Sequence, residues 1–250
     1  MSGFSAEWLA LRAPADASAR SIDLARRFAA ALRPGDSLAD LGAGTGSLLR
    51  WISPLLPKGV RWTLVDGDAQ LLSRAPRARK LRRPLGGRLP QADAFVSTAL
   101  IDLASPAWIA RLVRHARGRP LLMQLAVDGR HVLEPPDRRD GAILAAFAAH
   151  QQRVKGLGPA AGGTAPFVFA RLAARAGYRV RTAESDWRTT DPALVAATIE
   201  GIASAAKQQR PGLAVDDWLA LRLRQAAMRQ LTLVVGHRDV LAVPRKRRPT

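Results

Sequence analysis

Cysteine is absent from this chain of 250 residues. That excludes disulfides, thiolate nucleophiles and cysteine metal sites, and it fits a cytoplasmic protein. Histidine is scarce, with four residues, and no dense cluster of histidine and carboxylate suggests a catalytic metal. No run approaches the ~20 apolar residues that a membrane helix needs, and the N-terminus lacks a signal-peptide pattern. Acids are also few, 20 against 39 basic residues, for a net charge of +19. Lysine contributes only Lys58, Lys80, Lys155, Lys207 and Lys246, so arginine supplies the excess. Arginine is dense in two places. Residues 74–88 carry seven basic side chains and no acid, and residues 244–250 form a short basic tail. Such runs are either solvated faces or footprints of nucleic acid and acidic partners.

What is present is dominated by one stretch, Ser37-Leu38-Ala39-Asp40-Leu41-Gly42-Ala43-Gly44-Thr45-Gly46. An apolar run ends in an acid, and glycines then alternate with small residues. A second strand-like run, Val60 to Asp66, also ends in a carboxylate. Strand, glycine turn, helix, strand, acid is the outline of a βαβ nucleotide-binding unit. Glycines let the backbone turn sharply and admit a ligand closer than a Cβ would. An acid at the tip of the second strand can accept hydrogen bonds from both ribose hydroxyls. A dinucleotide fingerprint needs G-x-G-x-x-G, but here the third glycine comes one residue early and Ser47 takes its place. No Lys-Ser or Lys-Thr follows, which excludes a phosphate-cradling P-loop.

The pattern D-x-G-x-G-x-G with Asp66 closing the next strand resembles motif I and the following acid of class I S-adenosylmethionine-dependent methyltransferases. The resemblance implies a cofactor site built from Asp40, Gly42, Ala43, Gly44, Gly46, Asp66 and Gly67, with Ser97 and Thr98 joining it from the fourth strand. The implied cofactor is S-adenosylmethionine. No acid follows the third strand to meet the adenine amino group, so backbone groups or Gln91 would serve there.

Periodicity predicts the rest of a single α/β domain. Ile22, Ala25, Phe28, Ala29 and Leu32 share a helix face, and Pro34-Gly35 ends it. Residues 1–33 are expected to form a helical cap, with Phe4, Trp8 and Leu11 as apolar cover or as core. The arginine-rich residues 77–85 suit an edge strand, where charge discourages edge pairing. Further strands are expected at 93–100, 120–126, 178–187 and 231–243, with helices at 68–75, 106–117, 137–154, 165–176, 192–208 and 215–229. This alternation predicts a Rossmann-like, seven-stranded, mostly parallel sheet with helices on both faces and an antiparallel last strand. Residues 128–165 and 190–229 are expected to be substrate-side insertions.

In open α/β sheets ligands lie beyond the carboxyl ends of the strands. Asp102, after the fourth strand, is the first candidate base; its other reading is a helix N-cap. Asp128 and Arg130, after the fifth, are candidate substrate-binding residues. In His150-Gln151-Gln152-Arg153-Val154-Lys155-Gly156, Arg153 and Lys155 would hold an anionic substrate while His150 acts as base or donor. The same segment also reads as a helix C-terminus with basic residues near its last carbonyls. His115 and His237 read as structural. The Asn/Asp-Pro-Pro-aromatic motif of exocyclic-amine methylation in nucleic acids is missing after the fourth strand, where Ser97-Thr98-Ala99-Leu100 stands, and Glu134-Pro135-Pro136-Asp137 does not qualify. Carbon-5 methylation of pyrimidines generally needs the cysteine this chain lacks. The expectation is therefore methyl transfer to oxygen or nitrogen of a small polar or anionic metabolite. The alternatives are an RNA methyltransferase and a catalytically silent methyltransferase-like binding protein.

Overall fold

The alternating strand and helix patterns resolve into one mixed sheet. The computed structural model describes residues 4–154 and 156–245. Lys155 and the tail beyond Arg245 lie outside the described residues. Strands β1 (Ser37–Leu41), β2 (Arg61–Asp66), β3 (Arg79–Arg82), β4 (Ala94–Thr98) and β5 (Leu121–Glu134) run parallel. Strand β8 (Thr232–Pro244) lies antiparallel between β5 and β6 (Tyr178–Glu184). The order is β3-β2-β1-β4-β5-β8-β6, and a short β7 (Trp187–Thr189) also pairs with β8. The expected sixth strand is thus two pieces. Strand β3 is an edge, and its arginines and lysine are mostly exposed there.

Two helices, α1 (Ala6–Ala19) and α2 (Ile22–Ala29), precede the sheet. Ser5 and Ser21 cap them by accepting from the Trp8 and Leu24 N–H groups. The apolar face of α2, through Leu24, Ala25 and Phe28, covers Leu38, Val96, Leu122 and Leu241 on one side of the sheet. On the other side α5 (Pro106–His115) and α7 (Ala165–Arg175) cover Ala39, Phe95, Leu121 and Met123. Each fully buried Leu or Phe contributes roughly 1.5–3 kcal/mol by leaving water. Short helices α3 (Ser47–Ile52) and α4 (Ala69–Ser73) follow β1 and β2.

Strand β5 is longer than expected. Beyond Ala126 it continues through irregular register and pairs with the start of β8 up to Glu134↔Thr232. This arm carries a separate apolar cluster formed with α6 (Asp140–Gln151), α8 (Pro192–Gln209) and α9 (Val215–Ala227), including Leu133, Ile143, Ile199, Trp218 and Leu233. Trp8, Leu11, Ala15 and Ala19 of α1 pack against the same cluster. Helix α1 therefore bridges the sheet and the arm.

Candidate functional site

The glycine turn forms where β1 leaves the sheet. Gly42, Gly44 and Gly46 have φ of 72°, 52° and 76°, in the left-handed region, which costs a residue with a Cβ about 1–2 kcal/mol. At Gly46 space is also lacking, because a Cβ would stand 2.7 Å from Pro76 Cδ. The turn is tied to β2, since Gly42 and Ala43 donate to the Val65 carbonyl at 2.8 and 3.1 Å. Asp66 braces it: its Oδ2 accepts from the Gly44 N–H at 2.8 Å and its Oδ1 from the Asp68 N–H at 2.9 Å. Each oxygen keeps acceptor capacity for a hydroxyl. Gly67 is exposed beside it. Leu9 of α1 packs over the turn, 3.1 Å from a Cβ built on Gly44. A ligand reaching this backbone must displace that side chain.

Four central strands change character at one level. On the face covered by α2, Leu38, Val96, Leu122 and Leu241 are core. Two residues further toward the site, on the same face because strand side chains alternate, stand Asp40, Thr98, Gln124 and Asp239. They form a polar shelf above an apolar floor. Asp239 is fully buried and accepts from the Leu125 N–H at 2.7 Å, the Ser21 N–H at 2.8 Å and Gln124 Nε2 at 3.0 Å. Burial raises its pKa against the lowering of these bonds. Leu125 adopts φ 52°, an unusual conformation for leucine that Asp239 helps to hold.

Two charges face this shelf without pairing. Arg20, at the end of α1, is 5% exposed, and Asp40 is 2% exposed. Arg20 Nη2 reaches Ser47 Oγ at 3.4 Å, its Nε has no partner, and its guanidinium lies 5.5 Å from the Trp51 ring. Burial lowers the Arg20 pKa, with Asp16, Asp239 and Asp40 opposing it. Burial pushes Asp40 up to about 7, against the pull of Arg20. No ion pair joins the two among the described residues. Leaving a buried guanidinium unpaired costs several kcal/mol.

The remaining candidates are more widely placed. Thr98 lies on the shelf with a buried, unpartnered Oγ1. Ser97 points to the opposite face, fully buried, its Oγ 3.1 Å from Met123 Sδ. Asp102 sits half-buried in the turn Ile101–Leu103; Ser105, and not Asp102, caps α5. Leu100, just before that turn, lies 3.1 Å from a Cβ built on Gly42. Asp128 and Arg130 form a forked ion pair at 2.6 Å, which Arg130 extends to Asp186 at 2.8 Å. At the end of α6, His150 Nε2 lies 3.2 Å from Gln208 Oε1 of α8, and Arg153 donates to the Gln208 carbonyl at 3.0 Å. Val154 is 72% exposed. Gln91 accepts from Arg119 at 3.0 Å. Buried His237 packs 5.0 Å from Trp187, and burial with nearby Arg12 pushes its pKa down to about 3. A cleft of about 650 Å³ lies on the far side of α1, lined by Leu11, Pro14, Trp187, Arg188 and Leu194, away from the glycine turn.

Arg20, Gln124 and Asp239 are the residues that sequence reasoning missed. The available signal was a polar side chain interrupting an apolar strand, at Gln124 in Leu121–Ala126; Asp239 follows His237 and Arg238 and gives no such signal.

No protein-family model and no curated protein matches this chain. Solved structures do. A cyclopropane-fatty-acyl-phospholipid synthase-like protein from Lactobacillus casei superposes with a TM-score of 0.52 at 14% identity, over 93% of this chain and 99% of the other. A protein provisionally assigned as a type II methyltransferase, from Anaeromyxobacter dehalogenans, gives 0.52 at 15% identity, over 90% and 98%. The chain has the class I methyltransferase fold.

Proposed function

We propose that this chain is an S-adenosylmethionine-dependent methyltransferase that acts on oxygen or nitrogen of a small polar metabolite. One observation carries the cofactor reading: two buried opposite charges, Arg20 and Asp40, face the end of the glycine turn without meeting. A group bearing both a carboxylate and an ammonium, the amino-acid end of the cofactor, satisfies both at once. Asp66, one strand over, suits the ribose hydroxyls, and at Gly44 the ligand would meet backbone once the Leu9 side chain moves aside. The residues present therefore fit the group. The cofactor would supply an activated methyl on a sulfonium. What remains for the protein is to align the acceptor, exclude water and receive a proton where the acceptor carries one. Asp102 is the proposed base. His150 and Arg153 are proposed to meet the acceptor by exchanging their contacts with Gln208; Asp128, Arg130 and Lys155 complete the proposed acceptor side.

A metabolite is preferred over RNA because part of the arginine-rich surface is engaged internally. Arg83 donates to the Arg88 carbonyl at 3.0 Å, and Arg111 donates to the carbonyls of Leu85, Gly86 and Gly87. No helix among the described residues is long and apolar enough to cross a membrane.

Isothermal calorimetry with S-adenosylhomocysteine and with NAD tests the cofactor reading. S-adenosylhomocysteine is expected to bind and NAD is not. Asp66→Ala should weaken binding by roughly 10- to 150-fold, the value of a lost charge-assisted bond of about 1.5–3 kcal/mol. NAD binding in preference to S-adenosylhomocysteine would overturn the reading.

A further inference from the structure

The shelf holds a second unsatisfied group that the cofactor reading does not use. Gln124 is 1% exposed, and its amide orientation is set: Nε2 donates to the Asp239 carboxylate at 3.0 Å. Asp239 is itself held by the Leu125 and Ser21 N–H groups. The carboxylate offers only acceptors on that side, so the amide nitrogen must face it. Gln124 Oε1 is thereby turned away, buried and without a partner. Its register partner on β4 is Thr98, whose Oγ1 is also buried and unpartnered. A buried unpaired acceptor typically costs about 1–3 kcal/mol. An amide oxygen locked in place by a carboxylate that accepts three hydrogen bonds, beside a hydroxyl that can accept or donate, describes a place that receives a donor.

The position separates this place from the cofactor's charged end. Asp40 is on β1 and Gln124 on β5, with β4 between them. Two strand spacings separate their backbones by about 9.5 Å, so Asp40 and Gln124 approach the shelf from opposite sides of β4. We propose that Gln124 and Thr98 bind the acceptor at its reacting atom, that Asp239 is the positioning residue for Gln124, and that the acceptor presents an N–H or O–H there. The substrate class is thus an amine or alcohol, and not a carboxylate or a carbon acceptor. Resting on the methyltransferase reading, this inference names its acceptor chemistry. A hydrogen bond donated by the acceptor's N–H or O–H to Gln124 Oε1 orients the heteroatom's lone pair. That pair forms the new bond to the methyl carbon as the carbon–sulfur bond breaks, its electrons leaving on sulfur. The acceptor's proton departs to a base or to water, since an amide oxygen does not take it.

The test compares wild type with Gln124→Met, which keeps the side chain's bulk. Calorimetry with S-adenosylhomocysteine should give affinities within threefold, which also shows that the variant is folded. Transfer from methyl-tritiated S-adenosylmethionine into the small-molecule fraction of a bacterial extract should fall at least tenfold in Gln124→Met. The labelled product, identified by mass spectrometry, should be an N- or O-methylated amine or alcohol. With that acceptor purified, Asp239→Asn should shift the ratio of kcat to KM in the same direction as Gln124→Met. An asparagine amide turns Gln124 around, whereas a merely structural aspartate would leave that ratio alone. A tenfold loss of S-adenosylhomocysteine affinity in Gln124→Met would hand the residue to the cofactor and overturn the inference. So would a rate loss below tenfold, a methyl ester or carbon-methylated product, or no labelled product from a wild type that binds S-adenosylhomocysteine. Failure of wild type to bind S-adenosylhomocysteine is the separate outcome in which the methyltransferase reading itself falls.

Discussion

The two ends of the site treat their polar groups in opposite ways. Around the glycine turn and shelf, Arg20 Nε, Thr98 Oγ1 and Gln124 Oε1 are buried without partners, and burial pushes the Asp40 pKa up to about 7. On the arm and its helices most charged residues are engaged, although Arg222 Nε and Gln209 Oε1 are also buried without partners. Asp128, Arg130 and Asp186 form one network, Asp137 pairs with Arg139, and Arg153 is spent on Gln208. Unsatisfied buried groups are expensive and point to a ligand; paired ones need nothing further to explain them. What sets the shelf apart is that its unsatisfied atoms gather beside the glycine turn, whereas the arm's ion pairs read first of all as scaffold.

The largest effects that could break this contrast concern backbone. Gly46→Ala must accept a left-handed φ of 76° and a Cβ 2.7 Å from Pro76. We expect a loss of about 2–4 kcal/mol in urea unfolding. Gly201→Ala, in the open interior of α8 with no atom within 4 Å, should instead gain about 0.5–1 kcal/mol. Equal effects would mean that the turn is no tighter than the helix.

Next comes the charge contrast. Arg20→Met should weaken S-adenosylhomocysteine binding by roughly 10- to 150-fold, since it removes a charge-assisted contact. Arg130→Met should leave affinity within threefold and act on stability, by about 1–3 kcal/mol, because it leaves the buried Asp128 carboxylate only the longer contact with Arg238 while Arg130 itself is partly in water. If Arg130→Met costs as much affinity as Arg20→Met, the arm takes part in cofactor binding after all.

Acidity gives a smaller and more specific effect. Asp40 has a folded pKa of about 7, above its ordinary 3.8. Its contribution to folding is therefore full below about pH 3.8 and is lost as pH rises through 7. Ligand-free wild type should gain stability relative to Asp40→Asn as pH falls from 7 toward 4. Binding of the cofactor's ammonium needs the ionised form, so affinity should fall toward tenfold per pH unit below 7. Opposite slopes in melting and in calorimetry are the signature; parallel slopes would remove Asp40 from the site. The smallest effect is expected for Arg153→Ala. It is exposed and gives up one bond to a backbone carbonyl, so stability should change by no more than about 0.5 kcal/mol. Only the apparent KM for the acceptor should rise.

Much of this molecule followed from short-range chemistry. An acid, alternating glycines and a second acid after a strand dictate a turn whatever surrounds them, because left-handed φ values and close approach are local demands that glycine alone meets cheaply. The glycine turn, the acid that closes β2 and the alternation of strands and helices were therefore open to reading from residues 36–68 and from periodicity; the brace from Asp66 to the Gly44 N–H was not. Tertiary structure decided three other things. It extended β5 to Glu134, because the pairing of Glu134 with Thr232 joins residues far apart in the chain. It made β7 a separate strand, through a bend at Ser185 and Asp186 where Ser185 donates to the His237 carbonyl. Above all it built the shelf. Asp40, Thr98, Gln124 and Asp239 come from four strands far apart in the chain. Only the sheet's register brings them to one level, and only the fold leaves Arg20 buried above them. A linear sequence states which residue is polar; whether that polarity is paired or left waiting depends on what the rest of the chain packs against it.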